Sequence, residues 1–161
     1  MEIFVTTVFE YGRTLAVGAS TFAVLFFLTL MLSGDKNPLI RKVMHMVYAV
    51  LRIGMTLIGL SLIGMYFFDT GIEPLRYAFL WTLLIIITVN AVLMTAHIMS
   101  FKYGPVIAAA SWYSMFFVSV LPIHTLGVPV AVGLYIAFLI LVYIFIEVMK
   151  HTLRREAEHA V

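Results

Sequence analysis

Five apolar runs, each about as long as a bilayer's hydrocarbon core is thick, follow one another along this chain with only short polar turns between them. A core of about 30 Å takes about 20 helical residues to cross. In lipid each span must also satisfy its own backbone hydrogen bonds, which a helix does internally. The pattern predicts an all-α integral membrane protein, a bundle of five transmembrane helices with short loops over about residues 14–32, 38–68, 74–101, 105–121 and 129–149. Its 161 residues hold about five such spans and almost no soluble part, so 1–161 reads as a single transmembrane domain. Composition agrees: 63% of residues are hydrophobic and 11% charged, against about 45–50% and about 25% in soluble domains.

The turns are written in proline, glycine and charge. Ser33-Gly34-Asp35-Lys36-Asn37 precedes Pro38, Asp69 to Glu73 precede Pro74, and Lys102-Tyr103-Gly104 precede Pro105. Each proline fits the first turn of the next helix, where its missing N–H costs nothing. Pro122, Gly127 and Pro129 mark the last turn, and a charged helical tail begins at Lys150. Ile3, Phe4, Val8 and Phe9 alternate with polar residues and predict a short interfacial helix over 1–10. Glu2 and Glu10 stand where a secretory signal would be basic, so this stretch reads as mature sequence. The fourth span is rich in small residues, Ala108 to Ser111, Ser114 and Ser119, which let helix backbones approach closely and place it inside the bundle.

Basic residues orient the chain. Lys36, Arg41, Lys42, Lys102, Lys150, Arg154 and Arg155 flank one set of span ends, and only Arg13 and Arg76 flank the other. The richer side is expected to face the cytoplasm, with the N-terminus outside, the C-terminus cytoplasmic and the cell (inner) membrane as the location. Tyr66, Tyr77, Trp81, Tyr103 and Trp112 are placed near span ends as interfacial aromatics. Glu10 and Arg13, three residues apart, are expected to form a surface pair worth under about 1 kcal/mol. His124 is expected in a solvated outer turn, and His151 and His159 lie in the tail.

Several functions are excluded or weakened by what the sequence lacks. Without cysteine there are no disulfides, thiolate metal sites or cysteine nucleophiles. Walker, HExxH and GxSxG motifs are absent. The pI near 9.0 comes from loop residues that set orientation, so it does not indicate nucleic acid. The chain shows no internal repeat, which weakens an inverted-repeat transporter plan.

One polar constellation remains. His45 and Arg52 on the second span are seven residues apart, as are Asn90 and His97 on the third. Each pair shares a helix face and differs in depth by about 10 Å. On antiparallel helices His45 comes level with His97, and Arg52 with Asn90, forming a seam to which Glu147 on the fifth span can contribute. An intramembrane arginine costs about 2.5 to over 10 kcal/mol unless it is paired or hydrated, so Arg52 is the strongest functional clue.

Three readings of the seam compete. In the leading one it is interhelical glue in a small membrane-embedded component of a homo- or hetero-oligomeric complex, with Arg52 bonded to Asn90, carbonyls or Glu147. Its partners are then lipid and other membrane subunits or itself, and it has no enzyme activity of its own. In the second, a b-type haem lies between His45 and His97 as axial ligands, with Arg52 or Lys42 near a propionate. In the third, Arg52, Asn90, His97 and Glu147 line a path for a proton, cation or small solute. A Cu(I) variant would use Met44, His45, Met46, Met94, His97 and Met99, although membrane methionines more often fill packing gaps.

Overall fold

The computed structural model describes residues 2–33, 38–68, 71–96, 98, 103–121 and 123–159, and among these there are helices and short connections and no strand. Five helices follow in order: α1 (Glu2–Ser33), α2 (Pro38–Phe67), α3 (Pro74–Thr95), α4 (Gly104–Val120) and α5 (Ile123–His159). Four of them contain a segment long and apolar enough to cross a membrane: Glu2–Leu28, Lys42–Phe67, Pro74–Thr95 and Gly127–Met149. The chain is an integral membrane protein. The fourth helix has 17 residues, about 25 Å at 1.5 Å per residue, which falls short of the hydrocarbon core.

The proline punctuation holds where it is described. Pro38 opens α2, and α3 and α4 each carry proline in their first turn. Within α5, Gly127 breaks the helical path at φ 72, ψ 166, a region open in practice only to glycine, and Pro129 re-enters the helix two residues later. Two expectations need correction. Residues 2–10 are not a separate interfacial helix, because α1 runs unbroken to Ser33 and buries Val5 and Phe9 in the core. The third helix ends at Thr95 rather than near 101. The apolar part of α5, Gly127–Met149, agrees with the predicted fifth span, and the expected helical tail continues to His159.

The helices alternate in direction. At one end, here the near end, the start of α1 meets the end of α2, where Gly64 approaches Val5 so closely that a Cβ would lie 3.1 Å from its Cγ1. The start of α3 joins them through the Tyr77 hydroxyl, which donates to the Leu62 carbonyl at 3.1 Å. At the far end, Val24, Phe27 and Leu28 of α1 pack with Val106 and Ala109 of α4 and Ile146 of α5.

The most extensive pair is α1 with α2. Gly12, Ala16 and Gly54 let their backbones approach, and a Cβ on Gly54 would sit 2.9 Å from the Ala16 Cβ. Small residues of this kind allow dispersion contact between helices where lipid removes the usual hydrophobic contrast. The most buried helix is α4, with Ala109, Ala110, Ser111, Trp112 and Met115 all almost fully enclosed. Trp112, expected at an interface, is 1% exposed and part of the main core. Residues 109–112, at the middle of α4, are all buried, and the helix packs against α1, α3 and α5.

Candidate functional site

The polar groups of the bundle fall into three places. The first is the outward face of α2. Lys42, His45, Ala49, Arg52 and Thr56 are all exposed, and their spacing of 3, 4, 3 and 4 residues puts them on one stripe. Opposite this stripe, Met44, Leu51, Ile58, Leu62 and Met65 are buried, so packing on α1 turns the stripe away from the core. Arg52 is near mid-helix, about 15 Å along the axis from Lys42 and about 22 Å from Phe67 at 1.5 Å per residue. The Thr56 hydroxyl donates to the Arg52 carbonyl at 2.9 Å, which satisfies Thr56 without engaging the guanidinium.

The second place is the α3–α4 contact. Asn90 is 3% exposed, and its Nδ2 donates to the Gly104 carbonyl at 2.9 Å, at the first turn of α4. Met94 packs onto Gly104 so closely that any side chain there would collide with its sulfur. Asn90 is therefore committed to α4, and Arg52 is exposed on another helix. The face holding His45 and Arg52 does turn toward α3 one heptad further on, where a Cβ at Gly59 would be 3.6 Å from Leu84 Cδ2.

Glu147 is half-buried on α5, and α5 does not contact α2 among the described residues. Arg52 and Glu147 are thus not brought together within one chain. His97 lies outside the described residues, as does Met99, so the His45–His97 pair has no geometry to report. Of the soft donors nearest His45, Met44 is 6% exposed and faces the core, whereas Met46 is 58% exposed. The two adjacent methionines thus point to opposite sides of α2.

The third place, which sequence reasoning undervalued, is the near end of α4. Arg13 was expected on the surface with Glu10. The pair does form, but Arg13 is only 9% exposed, because α1 presses it against α4. Its guanidinium donates to Glu10 and to the Ser119 hydroxyl and lies 5.0 Å above the Phe116 ring. From α3, Arg76 Nη2 donates to the Leu121 carbonyl at 2.9 Å. A helix end leaves its last carbonyls without partners and carries partial negative charge. Two cations from neighbouring helices therefore bracket the end of the one helix too short to reach the headgroups. Each keeps a buried Nε with no partner among the described residues. The signal that could have found this site was the shortness of the fourth span, together with the two basic residues on the otherwise base-poor side.

Two hydroxyl contacts tie α4 further. Tyr113 meets Thr21 of α1 at 2.7 Å, and Ser111 meets Tyr135 of α5 at 3.1 Å. Taken together, the buried polar groups fix α4 among α1, α3 and α5, and the exposed basic stripe of α2 is left as the part of the bundle with chemistry to offer outside it. No protein-family model matches the chain, and neither a curated protein nor a solved structure is similar to it.

Proposed function

We propose that this protein is a membrane-embedded subunit that docks, through the outward face of α2, on another membrane chain carrying a carboxylate or amide near mid-membrane. The observation that carries this reading is the exposure of Arg52 in the middle of an apolar span. Left against lipid it would cost about 2.5 to over 10 kcal/mol. A side chain some 6 Å long cannot snorkel to either boundary across the roughly 15 Å that separates Arg52 from Lys42. An acceptor on a neighbouring helix removes that cost.

The sign of the stripe argues for the kind of partner. Lys42, His45 and Arg52 lie along it, and α2 contains no Asp or Glu. A symmetric dimer of two such faces would set Arg52 against Arg52 at equal depth, since a two-fold interface places the same patch on both sides. Like charges in a low-dielectric layer repel strongly. A different chain with an acidic or amide side chain fits the face, and a second copy in a symmetric arrangement does not.

Two finer features belong to the same proposal. The side holding Lys36, Arg41, Lys42, Lys102, Lys150, Arg154 and Arg155 faces the cytoplasm under the positive-inside rule, and α4 is the fifth span, its ends held below the headgroups by Arg13, Arg76 and Asn90. New thiols at Asp35 and Lys102 should be protected from an impermeant external reagent and one at Thr70 labelled; the reverse pattern overturns the orientation.

The docking face is tested by a benzoylphenylalanine placed at Ala49 in native membranes. It should crosslink to a second protein, a control at Ile140 on α5 should crosslink to lipid, and Arg52→Leu should abolish the Ala49 product while leaving the amount of folded protein unchanged. Crosslinking of Ala49 to lipid alone would refute the reading.

A further inference from the structure

Helices α2 and α3 touch in the near half of the bundle and part in the far half. Tyr77 reaches the Leu62 carbonyl, and a Cβ on Gly59 would lie 3.6 Å from Leu84 Cδ2. Because the two helices are antiparallel, one heptad from that contact toward the far end brings Arg52 on α2 level with Ala91 on α3. A heptad turns a helix face by only about 20°, so both residues keep facing the other helix.

Burial nevertheless falls away along both faces. Leu84 is 6% exposed, whereas Ala91 is half-buried and Thr88 and Thr95, one turn to either side of it, are exposed. Opposite them Thr56, Arg52 and Ala49 are exposed as well. Two facing stripes that both lose their cover beyond one contact enclose a groove, with Arg52 on one wall and Ala91 on the other. The Thr88 and Thr95 hydroxyls donate to the carbonyls of Leu84 and Ala91 at 2.8 Å, which leaves their oxygens able to accept.

We propose that this groove seats one transmembrane helix of the partner, with its carboxylate or amide on the flank toward Arg52 and a hydroxyl or amide donor on the flank toward Thr88 and Thr95. The inference rests on the docking reading of α2 and adds the second wall of that site. Arg52 sets the charge of the occupant, since an acyl chain in the groove would leave the guanidinium without an acceptor. Depth sets its form: lipid-exposed irregular backbone does not occur inside the hydrocarbon layer, so a chain entering here from the side is helical. The methyl group of Ala91 leaves space for the guanidinium and its acceptor, and the threonine oxygens set the chemistry of the other flank. A second copy entering by its own α2 would bring further cations and no acid.

The test uses the full-length protein in native membranes, with benzoylphenylalanine at Thr95 on the α3 wall. It should capture the same protein as the probe at Ala49, and Arg52→Leu should remove both products. A probe at Val89, 51% exposed and about a quarter turn round α3 from Thr88, should reach lipid instead. In a chain that keeps Thr95, Ala91→Phe narrows the groove opposite Arg52 and should cut the Ala49 product about fivefold or more, the lower end of what overpacking does to an equilibrium, while Val89→Phe leaves it unchanged. A partner caught at Ala49 with only lipid caught at Thr95, and no effect of Ala91→Phe, would overturn the groove and leave docking through α2 standing. Lipid at Ala49 would overturn docking itself, and an adduct made of two copies of this chain would overturn the choice of occupant.

Discussion

Replacing Gly54 by alanine tests the contact on which the orientation of α2 depends. The added Cβ would lie 2.9 Å from the Ala16 Cβ and 3.1 Å from the Gly12 carbonyl oxygen. Reaching the 3.4 Å at which ordinary contact begins requires the backbones to part by about 0.5 Å, and neither obstacle is a flexible chain end that can swing aside. Overpacking of this sort costs about 1–3 kcal/mol. Against it stands the helix-propensity gain of about 1 kcal/mol for glycine to alanine, which would blur a single measurement.

Gly18 supplies the control, since a Cβ there meets nothing within 4 Å and Gly18→Ala brings the propensity gain alone. Reversible unfolding in mixed micelles should therefore find Gly54→Ala less stable than Gly18→Ala by about 1–3 kcal/mol, or about 5- to 160-fold in the folding equilibrium. Crosslinking of Ala49 to its partner should weaken in parallel, because parting α1 from α2 lets the stripe rotate. Equal stabilities for the two variants would show that the α1–α2 approach is looser than described and would remove the reason given for Arg52 facing outward.

Two further outcomes follow from the buried polar contacts. Asn90→Ala removes the bond to Gly104 and should destabilise the protein by about 0.6–2 kcal/mol, the range for interhelical hydrogen bonds in membranes, in the same unfolding assay; no loss would mean that the Met94–Gly104 packing and the Arg76 bond to Leu121 hold α3 to α4 without it. Arg13→Met keeps much of the side-chain volume but loses the bonds to Glu10 and Ser119 and the ring contact with Phe116. It should speed proteolysis near the α4–α5 connection while leaving the Ala49 crosslink intact, and unchanged proteolysis would count against Arg13 as an anchor of α4.

Docking through α2 depends on a charge that lipid does not tolerate, and the informative feature is a polar group whose cost the chain's own described residues do not offset.

What the sequence determined by itself is local: helices long enough to cross a membrane, prolines in the first turns at Pro38, Pro74 and Pro105, a break at Gly127. These follow from apolar length and from the dihedral limits of proline and glycine, which need no knowledge of neighbours. The small-residue composition of α4 also pointed to its central place. Only the tertiary structure decided how each helix is rotated and whom it touches. It set Asn90 against Gly104, turned Arg52 outward, buried Arg13 under α4 and drew Trp112 into the core. In a soluble protein a polar face would have announced those rotations. Here nearly every face is apolar and lipid is as good a neighbour as leucine, so close approach at a few glycines and alanines and the matching of a few buried polar groups decide the arrangement, and both depend on residues far apart in the chain.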